Sequence, residues 1–192
     1  MDREIITVVS GLPRSGTSMM MKMLEAGGIP VLTDNVRTAD DDNPKGYFEF
    51  ERVKKLAQDQ SWLPDAKGKV VKVITALLRH LPAVYRYRVV LMHREMAEIL
   101  ASQRQMLIRR SQPPGDEASD AKMADAFRRH VIEVEKWLAQ QPNMHTLAIS
   151  YNDVLRRPAE EIARLNQFFG DSLDAAAMTQ VVDQTLHRQR RD

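Results

Sequence analysis

Gly11-Leu12-Pro13-Arg14-Ser15-Gly16-Thr17-Ser18 is the stretch whose reading decides the fold. A short apolar run, Ile5-Ile6-Thr7-Val8-Val9-Ser10, leads into it. A helix-like segment, Thr17 to Ala26, leads out and is closed by Gly27-Gly28. Strand, glycine-bearing loop and helix in that order form a phosphate cradle. Backbone N–H groups of the loop and first helical turn converge on one place, and the helix dipole adds positive charge there. A nucleoside-triphosphate loop reads GxxxxGK[ST]. Gly11 and Gly16 keep that spacing, but Thr17 stands at the lysine position. The cation comes earlier, as Arg14, and Thr17 and Ser18 add hydroxyls. Such a loop grips a phosphate but is poorly built for Mg²⁺-assisted transfer of a γ-phosphate.

Working outward, the first unit is strand 5–10, loop 11–16 and helix 17–26. Ile29-Pro30-Val31-Leu32 is extended, and Thr33 to Gly46 reads as a loop around Asp40-Asp41-Asp42-Asn43-Pro44. Adjacent carboxylates in an extended chain point in different directions, so this run is read as solvated rather than as a metal site. Aromatics and acids alternate in Tyr47-Phe48-Glu49-Phe50-Glu51, which puts Glu49 and Glu51 on one face. A helix is expected over 52–60, with Trp62 anchoring its end. Strands are expected at 69–74, 87–92 and 143–149. Helices are expected at 77–81, 95–110, 120–140, 158–169 and 173–186, with a loop at 111–119 and a basic tail, His187 to Arg191.

Alternating strands and helices imply an α/β fold with a mostly parallel sheet, a three-layer sandwich like that of P-loop proteins, in one domain over 1–192. The ligand of such a sheet lies at the carboxyl ends of its strands. Chemistry is therefore expected at 11–18, 72–75, 93–102 and 150–153.

The 192 residues carry 28 Lys and Arg against 26 Asp and Glu, a net charge of +2 that does not suggest nucleic-acid binding. No apolar run approaches the length of a membrane span. There is no cysteine, which excludes disulfides and thiolate chemistry and favours the cytoplasm. No secretory signal stands before the first strand. Oligomeric state is not legible.

Arg94 ends the third strand, and Ser102 lies eight positions on, about two helical turns along. A strand-end guanidinium and a helix hydroxyl suit a second phosphate beside the loop. Together with Pro13-Arg14-Ser15-Gly16-Thr17-Ser18, this pattern resembles the sulfotransferases that use 3′-phosphoadenosine 5′-phosphosulfate (PAPS). In that family the first loop binds the 5′-phosphosulfate. Val89 to Ser102 is similar to its 3′-phosphate motif. Ser150-Tyr151-Asn152-Asp153-Val154-Leu155 resembles its Tyr-Glu-Asp-Leu segment, which implies that Tyr151 contacts the nucleotide.

The resemblance implies sulfuryl transfer from PAPS without a metal, to a small-molecule, glycan or peptide acceptor. Arg14 is assigned to charge on the leaving nucleotide, and Lys72 resembles a family lysine near the transferred group. Cytosolic members carry a base histidine two positions after that lysine, where this chain has Ile74. Golgi-type members use a glutamate after the first helix, which makes Glu49 the leading base and Glu51 the second. His80 and His93 also remain open. Two alternatives stand beside this reading: a P-loop kinase or hydrolase with an altered loop, and a nucleotide-binding protein without turnover.

Overall fold

Four parallel strands lie side by side because their apolar residues have a helix or turn to bury against on each face. The computed structural model describes residues 2–34, 48–113 and 116–182. The strands are β1 (Ile5–Gly11), β2 (Val70–Lys72), β3 (Arg86–His93) and β4 (Met144–Ser150), in the order β2-β1-β3-β4. Val9, Val70, Val90 and Ile149 face one side and pack on α1 (Thr17–Ala26), α5 (Pro158–Phe168) and α6 (Ala175–Val181). Ile6, Val8, Val71 and Val89 face the other and pack on Trp62, Leu63, Val134 and Leu138, the last two from the long helix described next. The result is the expected three-layer α/β sandwich.

The remaining helices are α2 (Met96–Arg109), α3 (Glu117–Leu138) and α4 (Tyr151–Arg156). β1 connects to β2 on one side, and the chain then crosses over β1 to β3 on the other. The winding reverses between β1 and β3, the place where open α/β sheets bind ligands. Register pairs Gly11 with Met92 there, so the cradle loop and Arg94 leave the sheet as neighbours.

Several elements differ from expectation. Residues 52–60 do not form an α-helix. A 3₁₀ turn spans Glu51–Lys55, with Leu56 N–H donating to the Val53 carbonyl at 3.1 Å. Val53 and Leu56 are both buried, and three-residue spacing suits a 3₁₀ turn. A nine-residue helix is marginal alone, so packing beneath Trp62, whose ring meets Phe50 edge-on at 5.4 Å, decides the local form. Downstream, Asp59 takes hydrogen bonds from Arg52 first and Ser61 second, which hold its carboxyl down to about 2. The short helix expected at 77–81 is a 3₁₀ turn, Thr75–His80, which also ends β2 early.

Helix α3 begins three residues sooner than expected, because the Asp116 side chain accepts from Ser119 N–H at 2.8 Å. Helix α4 is unanticipated, and Ser150 caps it by accepting from Asp153 N–H at 3.2 Å. The last helix starts at Ala175 under an Asp174 cap. Its expected end, the basic tail and the acidic run at 40–42 lie outside the described residues. Among the described residues no helix is long and apolar enough to cross a membrane.

Candidate active site

Proline fixes the first corner of the cradle. Ser15 N–H and Ser15 Oγ both donate to the Leu12 carbonyl, at 3.2 and 2.7 Å. Pro13 takes the second place of this four-residue turn, and Arg14 the third at φ 70°. That place in a type II turn needs positive φ and normally holds glycine. An arginine there costs on the order of 1–3 kcal/mol, so something must hold it.

Two contacts do so. Arg94 Nη1 donates to the Arg14 carbonyl at 3.0 Å, and Arg14 Nε donates to Ser102 Oγ at 2.8 Å. The strained residue is gripped at its backbone from β3 and at its side chain from α2. Arg94 and Ser102 are thus joined through Arg14, and the loop and the Arg94–Ser102 pair form one continuous surface.

Gly11 and Gly16 have separate reasons. A Cβ at Gly11 would lie 2.4 Å from Ser15 Oγ and 2.9 Å from the Met92 carbonyl. Gly16 precedes α1 at φ 95°, and a Cβ there would lie 2.4 Å from Tyr151 Cδ2. Tyr151 is buried beneath the loop, with the Arg94 guanidinium 4.4 Å from its ring centroid, a cation–π arrangement. Gly16→Ala is therefore expected to lose about 1–2 kcal/mol to left-handed backbone alone, and more as Tyr151 gives way. Urea denaturation of the two proteins measures this, and an unchanged midpoint would show that the loop relaxes at no cost.

Arg94 is a nearly enclosed charge paired with another. Its Nε donates to Glu98 Oε2 at 2.8 Å, with side chains 8% and 5% exposed. With one Nη1 hydrogen on Arg14, three of its five N–H donors have no protein partner among the described residues.

On the far side of β1, Val9 pairs with Lys72, and Lys72 Nζ lies 3.4 Å from Ser18 Oγ. Ser18 and Thr17 belong to the first turn of α1, where N–H groups have no carbonyl partner within the helix. Lys72 thus brings a positive charge beside the first turn of α1, with its amides and the hydroxyls of Thr17 and Ser18.

Glu49 is held at its backbone by the stretch of chain that follows α1. Val31 bridges Val70 in parallel, so the chain there runs beside β2 toward Lys72. Thr33 Oγ1 then donates to the Glu49 carbonyl at 2.8 Å. The Glu51 carboxylate pairs with Lys54 at 2.6 Å on the surface. Ile74 is 45% exposed. His93 Nε2 lies 3.3 Å from Glu135 Oε1 on α3. His80 closes a turn, its carbonyl accepting from Gln60 at 2.9 Å.

Two residues to which the sequence reading gives no role belong to the site. Glu98 and Asn152 are 4% and 2% exposed, and Asn152 Nδ2 donates to Glu98 Oε1 at 2.9 Å. The spacing of Arg94 and Glu98, one helical turn, is the signal that could have found the first of them. Among the described residues no cluster of acids and histidines is arranged to hold a metal ion.

The chain belongs to the sulfotransferase domain family, whose profile matches residues 5–191. It is similar to mouse sulfotransferase SULT7A1, solved in complex with PAP, with 12% identity and a TM-score of 0.56. That match covers 94% of this chain and 63% of the mouse chain, so this chain spans less than two thirds of that relative. It is also similar to the sulfotransferase domain from the curacin biosynthetic pathway, with 15% identity, a TM-score of 0.52 and coverage of 93% and 78%. A third is sulfotransferase STF1 from Mycobacterium tuberculosis H37Rv, with 15% identity, a TM-score of 0.55 and coverage of 97% and 72%. At these identities the likeness is one of fold. No curated protein matches the chain.

Proposed function

We propose that this sulfotransferase-family chain moves a sulfuryl group from PAPS to a hydroxyl or amine of an acceptor. The acceptor class is a small molecule, a glycan or a peptide, and residues 1–192 act as one domain. The observation that carries the reading is the continuity of Arg14, Ser102 and Arg94. It joins a loop suited to a 5′-phosphosulfate with a guanidinium suited to a 3′-phosphate, at the switch point of the sheet. The complex of the mouse relative with PAP is in keeping with this donor. A chain without cysteine suits the cytoplasm.

In this reading Pro13, Ser15, Gly16, Thr17 and Ser18 shape the 5′ cradle, and Arg94, Ser102 and Tyr151 serve the 3′ side. The acceptor heteroatom attacks sulfur in line. The bond from sulfur to the bridging oxygen breaks, and PAP leaves with that electron pair. Arg14 and Lys72 stabilise the charge that grows on the departing oxygen. Glu49 takes the acceptor's proton. No metal is needed, because cations and amides of the chain carry the charge.

Titration calorimetry with PAP and with ATP-Mg²⁺ tests the donor. PAP is expected to bind with micromolar or tighter affinity, and ATP-Mg²⁺ much more weakly. The reverse order would make the chain a nucleotide kinase or hydrolase with an altered loop. Transfer of sulfur-35 from labelled PAPS to an acceptor panel tests turnover. PAP binding with no transfer to any acceptor would favour a non-catalytic nucleotide binder.

A further inference from the structure

Glu98 is a buried carboxylate with no part in the reaction just described, and its surroundings restrict what can stand there. Its Oε2 accepts from Arg94 Nε at 2.8 Å and its Oε1 from Asn152 Nδ2 at 2.9 Å. The orientation of Asn152 is not free either. Its Oδ1 accepts from the backbone N–H of Glu95 at 3.1 Å, which fixes oxygen toward Glu95 and nitrogen toward Glu98. Position 98 is therefore presented with a donor on each side, and only a group that accepts twice satisfies both. Aspartate is one methylene short, and glutamine turns a donor toward one of the donors.

From this polarity we infer that Glu98 and Asn152 are positioning residues for the anion site. Asn152 orients Glu98, Glu98 aims the Arg94 guanidinium, and Arg94 holds the carbonyl of the strained Arg14. The chain of bonds runs Glu95 N–H to Asn152, Asn152 to Glu98, Arg94 Nε to Glu98, and Arg94 Nη1 to Arg14. It ties the start of α2, the start of α4 and the cradle loop into one unit. Arg94, Glu98 and Asn152 are all nearly excluded from water, where a mismatched donor or acceptor is expensive. The inference rests on the anion-binding role proposed above for Arg94.

The polarity argument yields a test that simple damage does not mimic. In Glu98→Gln a donor meets a donor. In Asn152→Asp an acceptor meets the Glu98 acceptor. In the double variant the pattern closes again. The new glutamine accepts from Arg94 and donates to the new aspartate, which also accepts from Glu95 N–H. The double variant also keeps the net charge of the cluster.

The experiment measures PAP affinity by calorimetry, and thermal midpoint, for the natural chain, both single variants and the double variant. Each single variant is expected to bind PAP about tenfold or more weakly, the usual consequence of one buried polar mismatch. The double variant is expected to return to within about threefold of the natural chain, because the hydrogen-bond pattern is restored. Folded single variants with natural affinity would overturn the inference. So would a double variant no better than the weaker single one, or midpoints that fall and recover while affinity stays level. If the natural chain itself fails to bind PAP, the donor proposed above falls and takes this inference with it. A natural chain that binds, with affinity unmoved across the four proteins, fails this inference alone.

Discussion

Arg94→Ala is expected to destabilise the protein by about 3–5 kcal/mol, the usual cost of stripping one partner from a buried ion pair. The reason lies with the residue left behind. Glu98 is 5% exposed on its side chain, and without Arg94 its buried carboxylate would lose the cation that pairs with it. The Arg14 carbonyl would lose its donor as well, and Tyr151 its cation. Chemical denaturation measures the loss, and a change below about 1 kcal/mol, that of an exposed pair, would show that water reaches the site. PAP affinity should fall in the same variant by about 2–4 kcal/mol, through loss of a buried charged partner. A second variant separates the two effects. Arg94→Met with Glu98→Leu removes both charges, and apolar replacement of a buried pair is often near neutral for stability. It should recover part of the fold, short of the cost of leaving Asn152 Nδ2 without its acceptor, and none of the PAP binding.

Glu49→Gln has the other large expected effect. Glutamine has almost the shape of glutamate but cannot take the acceptor's proton at neutral pH. The tie to Thr33 survives, because Thr33 binds the backbone carbonyl of residue 49 and not its side chain. Turnover from labelled PAPS is expected to drop by about 10²–10⁴-fold, the usual contribution of a positioned general base. PAP affinity should stay level. Retained turnover would move the base elsewhere. Glu51, whose carboxylate pairs with Lys54 at the surface, is the second candidate. Full activity in Glu49→Gln would point to Glu51, to a histidine or to a residue outside the described segments.

What can be read from sequence divides along physical lines. The strands are legible because a buried parallel sheet needs runs such as Val89-Val90-Leu91-Met92, apolar on both faces. The cradle is legible because only glycines fit where Gly11 and Gly16 sit, and their spacing is visible in one dimension. Residues 52–60 mislead because a nine-residue helical pattern has little strength of its own, and packing under Trp62 sets the local form. Helix α4 escapes notice because a six-residue helix hardly registers as a period. Glu98 and Asn152 meet across 54 positions of chain, and such a contact leaves no local mark. The same holds for the grip of Ser102 on Arg14, which joins residues 88 positions apart.

The strained turn at Arg14 bears on the thermodynamics of association. Its unusual backbone is held from two sides by groups of the chain itself, before any anion arrives. The ordering cost is thus borne in folding and not at the encounter. An anion that enters this loop forfeits its own freedom and sheds its water, but the protein has little backbone entropy left to lose. Association there should look like docking into a rigid seat, with little rearrangement of the loop backbone between free and bound forms.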